Sequence, residues 1–207
     1  MNEENDEYEL RLSTQRLEEI KRIVCQLFIN FDIHCTPISS FELATKMGIQ
    51  VIPYSALEQR TRELMIKESP DGCCIKQSTP DHSTTVEHYN KCTIYYNDIS
   101  SNGEKNYGRI NNTIMHEIGH IVLQHSEDSK LAEKEVNFFA KYALVPPVLI
   151  HIKGLGNADI GQIAEEFNVS YQAASYALNY YYKWLYYGQF GYTDYEENMA
   201  KLFRNVS

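Results

Sequence analysis

"NTIMHEIGHIVLQH", Asn112–His125, carries two histidines four residues apart with a glutamate directly after the first. Four residues of helix rotate by about 40°, so His116 and His120 leave the helix on the same side and can share one small cation. On the same wheel Ile110, Ile114, Met115, Ile118, Ile121 and Val122 fill a sector of about 140°, and the histidines lie outside it. The stretch therefore predicts a helix that buries its isoleucines and offers an imidazole pair on another face. Glu117 falls between the two, where a carboxylate can take a proton from a water at the cation, the general-base role in the H-E-x-x-H pattern.

A catalytic zinc site needs a third protein ligand and an open fourth position. Glu127, Asp128, Glu133 and Glu135 follow within reach. In the next predicted helix, from about Leu131 to Val145, Leu131, Ala132, Val136, Phe138, Phe139, Tyr142 and Ala143 form the apolar face; Glu135 lies inside it and Glu133 at its margin. A carboxylate in a buried face is costly unless a cation, an internal Arg or backbone donors compensate it. With the histidine pair just upstream, Glu135 is expected to be the third ligand, with Glu133 in reserve. His125 is rotated by about 140° from His120 on a continued helix and is read as a favourable C-terminal histidine rather than a ligand. His82 and His88, in a Ser/Thr-rich loop, are read as solvated, and Cys73-Cys74 as strand residues rather than a metal or redox pair.

The rest of the chain bounds the class. Its 207 residues are long enough for a real core, and the net charge of −9 argues against a surface built to neutralise nucleic-acid phosphates. The acidic start "MNEENDEYELR" lacks the basic flank and apolar run of a secretory signal. The most apolar window, Tyr142–Ile152, is short and broken by Pro146 and Pro147. Five cysteines in an odd set fit reduced thiols. A cytoplasmic protein away from membranes is expected.

Three N-terminal helices are predicted: one through Leu17–Phe28 capped by Ser13 or Thr14, one from Ser39 to Gly48 leading into the extended "IQVIPY", and one from Ser55 with Glu58 in a capping box. "CCIKQ" and "KCTIYYND" read as two strands of a small antiparallel sheet. The second strand is either an edge able to hold an extended peptide or an interior strand. After a Gly-rich link, "ADIGQIAEEFNVSYQAASYALNYYYKWLYY" has the outline of a helix-turn-helix. Its second helix holds one basic residue, Lys183, so protein contact or a structural role is expected over direct DNA binding. Its tyrosines and Trp184 outnumber what one helix face buries, which suits either a partner surface or packing onto the first helix.

The motifs "IYYND…GRINNTIMHEIGHIVLQH" and "EKEVNFFAKYALVPP" resemble, in order, the strand, arginine and "HELGH" helix and the "EANxFAxxLLMP" segment of the ImmA/IrrE metallopeptidases. The resemblance runs from about Ser39 to Leu178, with Val136 and Val145 departing from the usual alanine and methionine. It implies an α+β fold with a zincin-like core, in which the small sheet carries the HExxH helix and a C-terminal helix-turn-helix-like region follows. The implied division is an N-terminal docking helix over 1–35, a peptidase core over 36–150 and a helical region over 151–207. It also implies one catalytic Zn2+ on His116, His120 and Glu135 in a gluzincin-like set, with Glu117 as general base. The implied activity is intracellular cleavage of a protein substrate, a helix-turn-helix repressor of a prophage or mobile element. A tyrosine would suit the oxyanion, and the sequence does not choose among sixteen. The alternative is a regulatory protein that binds a partner through a peptidase-like fold without cutting it.

Overall fold

The computed structural model describes residues 11–76, 89, 91–99, 106–126, 129–187 and 191–204. Ser13 opens helix α1 (Thr14–Asn30) by accepting a hydrogen bond from the Arg16 amide at 3.1 Å, which satisfies one open donor of the first turn. Ile20, Val24, Leu27 and Phe28 recur at helical spacing, and all are buried. Ser39 caps α2 (Ser40–Lys46) in the same way, and the chain then extends into strand β1 (Gln50–Pro53). The helix expected from Ser55 begins later. A single 3-10 turn, Tyr54–Ala56, precedes α3 (Gln59–Glu68). The amide and hydroxyl of Ser55 bind the Asp98 carboxylate at 3.0 and 2.6 Å, so this serine fastens a loop instead of capping a helix.

Strands β2 (Gly72–Lys76) and β3 (Cys92–Tyr96) pair antiparallel, Gly72 opposite Tyr96 and Lys76 opposite Cys92. The expected antiparallel pair is one half of a mixed sheet. β1 joins β3 in parallel, Gln50 opposite Thr93, in the order β1-β3-β2. A parallel neighbour leaves no turn signature in the sequence, which is why "IQVIPY" did not declare its partner. β3 is therefore the interior strand. Cys92, Thr93 and Ile94 are buried in succession, as in a strand covered on both faces. β2 has β3 on one side and, among the described residues, no strand on the other.

Asn106 caps α4 (Tyr107–Val122), and Ser129 caps α5 (Lys130–Leu144). The predicted apolar sectors hold: Ile110, Ile114, Met115, Ile118 and Ile121 are buried on α4, and Ala132, Val136, Phe138, Phe139, Tyr142 and Ala143 on α5. Leu131, in the first turn of α5, is exposed instead. Pro147 starts α6 (Pro147–Ile152), where its missing N–H costs nothing. A capping box of Asp159 and Gln162 opens α7 (Ile160–Phe167), and Asn168 turns the chain in the left-handed region (φ 48°) towards α8 (Tyr171–Tyr187). The final helix, α9 (Asp194–Arg204), returns to α1: Phe203 lies 6.5 Å from Phe28, ring to ring, and the Tyr195 hydroxyl donates to Glu18 at 2.5 Å. One buried apolar cluster joins Ile20 of α1, Ile94 of β3, Ile114 of α4 and Met199 of α9. Among the described residues no helix is long and apolar enough to cross a membrane.

The C-terminal aromatics divide between packing and exposure. Trp184 stacks between Tyr181 and Tyr192, while Tyr182, Tyr186 and Tyr187 face water. Glu196, 3% exposed, organises the packed set by accepting from Trp184 Nε1 at 2.8 Å, Tyr142 Oη at 3.2 Å and Thr193 Oγ1 at 2.9 Å. Removing the acceptor strands the buried Tyr142 hydroxyl and leaves the half-buried Trp184 N–H without its partner. Glu196→Ala is expected to destabilise the chain by about 2–3 kcal/mol in urea unfolding. A change below about 0.5 kcal/mol would mean that these donors find other partners.

Candidate metal centre

On α4, His116 and His120 turn their rings to one side, with Nε2 atoms 3.2 Å apart. The third residue of a group that could hold a metal ion is Glu133 of α5. Its Oε2 lies 3.5 Å from His116 Nε2 and its Oε1 3.2 Å from His120 Nε2. Donors bound tetrahedrally at about 2.0–2.1 Å are separated from one another by roughly 3.3 Å, and the Nε2–Nε2 spacing is close to that value, while the two carboxylate oxygens of Glu133 each face one of the rings at a similar distance. The set is two imidazoles and a carboxylate, and all three donor atoms lie within 4.8 Å of one another. Burial lowers the proton affinity of His116, against the charge of Glu133 and a hydrogen bond to Asn137 that favour the proton. A neutral ring is the form that ligates.

Two spacings of four residues build this arrangement. His116 and His120 occupy successive turns of α4, and Glu133 and Asn137 occupy successive turns of α5. The helices meet with His120 beside Glu133 and His116 beside Asn137. Gly119 permits the approach. A Cβ at that position would stand 3.0 Å from Phe139 Cδ1 and 3.3 Å from Val136 Cβ. On the other side of α4, a Cβ at Gly72 would lie 2.7 Å from both Thr113 Cγ2 and the Tyr95 carbonyl, so glycine lets strand β2 begin against the helix.

Glu135, the expected third ligand, is not brought to the histidine pair and lies outside the group of His116, His120 and Glu133. Glu135 is buried in the α5 face, as its position on the wheel required, but an arginine from the first helix supplies its compensation. Arg16 Nε and Nη2 donate to its two oxygens at 2.9 and 2.6 Å, and His125 Nε2 lies 3.0 Å from Oε2. Arg16 foremost, and His125 after it, hold the Glu135 carboxyl below its ordinary range despite burial. Glu133 reaches the histidines because the margin of the face points at them while its centre points at α1. Glu127, Asp128, His82 and His88 lie outside the described residues.

His125 is also displaced from its expected place. The helical wheel puts it far from His120 only if the helix continues, and α4 ends at Val122. Gln124 takes the left-handed conformation (φ 57°), its amide bonds Ile121 O, and the His125 amide bonds His120 O at 3.1 Å. This is a Schellman turn, and it folds residue 125 back over the last turn of the helix. The His125 ring thereby lies against that of His120, Nδ1 to Nδ1 at 3.3 Å.

The three donors stand at a cleft of about 600 Å³, lined also by Glu117, Asn112, Thr113 and the β2 residues Gly72 to Cys74. Glu117 is 9% exposed and lies on the same helix as the histidines. Burial and the nearby Glu117 charge hold the Cys73 thiol above its ordinary value, so it is protonated at neutral pH, in line with the reading of Cys73 as a strand residue. Among the described residues no tyrosine lines the cleft.

A model of the IrrE N-terminal-like domain, Peptidase_M78, matches residues 75–179, about half of the chain. The chain belongs to the Peptidase_M78 family. The Peptidase_M78 match takes in both histidines, Glu117, Glu133, His125 and Glu135, and leaves Arg16 outside it. No curated protein and no solved structure is significantly similar to the chain.

The two glutamates are separable by experiment. Glu133→Ala should weaken zinc binding by more than the roughly 10–100-fold that loss of an outer partner costs, and leave the urea midpoint nearly unchanged, because its side chain is half exposed. Glu135 contributes stability through a lowered carboxyl pKa. That contribution is present above the unfolded value and is lost as pH falls through the lowered folded value. Glu135→Gln should therefore flatten the acid limb of stability against pH, and an unchanged limb would contradict the Arg16–Glu135 pairing.

Proposed function

We propose that the chain is a zinc-dependent endopeptidase, with His116, His120 and Glu133 holding the ion and Glu117 as general base. The observation that carries this reading is the convergence of two imidazole Nε2 atoms and the Glu133 carboxylate, 3.2–3.5 Å from one another, at an open cleft that Glu117 also lines. Membership of a peptidase family gives it independent support. When bound, zinc supplies Lewis acidity, polarising a carbonyl and making water acidic enough to yield its proton near neutral pH.

The chain's own residues do the rest. Glu117 takes the proton from the attacking water and returns it to the departing amine nitrogen, so the peptide bond breaks with no net proton change at the carboxylate. Strand β2 borders the cleft with one edge unpaired among the described residues, and an extended peptide can add to it by backbone hydrogen bonds. Asn137 orients His116 through its side chain. The proposed substrate is a protein, and the resemblance noted in the sequence points to a helix-turn-helix repressor of a mobile element. The helices over 151–207 are proposed to contact protein rather than DNA, in keeping with Lys183 as the one basic residue of α8.

Zinc-loaded protein incubated with a proteome-derived peptide mixture, read by mass spectrometry, tests the activity. Zinc-dependent cleavage is expected, with Glu117→Gln retaining zinc and losing about 10²–10⁴-fold in rate. Equal cleavage by the Gln variant would remove Glu117 from the mechanism. Absence of zinc-dependent cleavage in the unmodified chain would favour a binding protein instead.

A further inference from the structure

We infer that His125 is a positioning residue for the metal centre: it fixes the tautomer and aim of His120, and Glu135 and Arg16 hold it in place. The inference rests on the zinc reading above and extends it from the ligands to a chain of four side chains reaching helix α1.

Hydrogen-bond directions along the chain follow from one requirement. His120 presents Nε2 to His116 and Glu133, so its ligating lone pair is on Nε2 and its proton is on Nδ1. That Nδ1 lies 3.3 Å from His125 Nδ1, which must then be the acceptor. The His125 proton sits on Nε2 and donates to Glu135 Oε2 at 3.0 Å. Glu135 accepts in turn from Arg16 Nε at 2.9 Å and Nη2 at 2.6 Å. Each donor meets one acceptor, both rings are neutral, and the carboxylate is balanced by the guanidinium. Reversing any one bond puts two protons or two lone pairs face to face.

The chain is fixed at each joint by the fold. The Schellman turn places His125 through its backbone, independently of its ring, and the Lys76 ammonium holds the His125 carbonyl at 2.7 Å. The side chains of His125 and Glu135 are 13% and 9% exposed, so water competes little for these bonds. A ligating imidazole whose second nitrogen is held in this way is a better donor and loses less freedom on binding. Helix α1 thus acts on the centre from outside it.

His125→Phe keeps a ring of similar shape and removes both nitrogens, while the backbone turn stays. Zinc affinity, measured in the full chain by competition with a chromogenic chelator, should fall about 10–100-fold. The urea midpoint is measured alongside, to show that the variant is folded. His125→Gln, whose amide oxygen can accept from His120 Nδ1, should recover part of the loss. Long-range 1H–15N spectra of the zinc form should show His120 protonated at Nδ1. The proposal is overturned if the Phe variant binds zinc within twofold of the unmodified chain, or if His120 carries its proton on Nε2. Glu133→Ala and His120→Ala separate the causes. If these lose zinc while His125→Phe does not, only the positioning role fails; if they also keep zinc, the metal reading fails and this inference goes with it.

Discussion

Helix α4 can lie as close to α5 as it does because residue 119 has no side chain, and the proposed metal centre depends on that closeness. The histidine pair on α4 and Glu133 on α5, the proposed ligands, have no covalent tie shorter than the loop between the helices. Their spacing is set by how Gly119 seats against Val136 and Phe139. Metal bonds tolerate errors of about 0.2 Å, so a small separation of the two helices would leave the third donor short. The roll of α4 is fixed on its other side by Ile114, Ile118 and Ile121, buried in the core shared with β3. One face of the helix supplies the energy of packing, and the neighbouring face inherits its geometry.

Two acids two residues apart on α5 serve different ends. Glu135 sits where a charge must be neutralised, and Arg16 neutralises it whether or not an ion is present. Glu133 stands half exposed at the rim, where water can solvate it in the absence of a ligand. Folding is therefore not made hostage to metal. A buried acid as the third ligand would have coupled the two, since its charge would have no partner in the apo chain.

Much of this was legible in the sequence because it is local. Helical period gave the buried faces of α1, α4 and α5, the cap residues gave their starts, and four-residue spacing gave the histidine pair. The wheel even placed Glu135 in the apolar face and Glu133 at its margin. The wheel could not show that Arg16, 119 residues away, reaches Glu135, so the buried acid looked in need of a cation. His125 was misplaced for a related reason: the wheel assumes that the helix continues, and a glutamine in the left-handed conformation gives little warning that it stops. A six-residue return at a helix end brings together what angular counting holds apart. The parallel pairing of β1 is non-local in the same sense. One signal was available and unused: Glu133 and Asn137 repeat the four-residue spacing of His116 and His120, as two facing helices with a shared site require.

Anomalous diffraction at the zinc edge from crystals of the zinc-loaded chain tests the centre most directly. A single strong peak within bonding distance of His116 Nε2, His120 Nε2 and the Glu133 carboxylate is expected, with Glu135 still paired to Arg16. A peak bound to Glu135, or one that leaves either histidine unligated, would contradict the account.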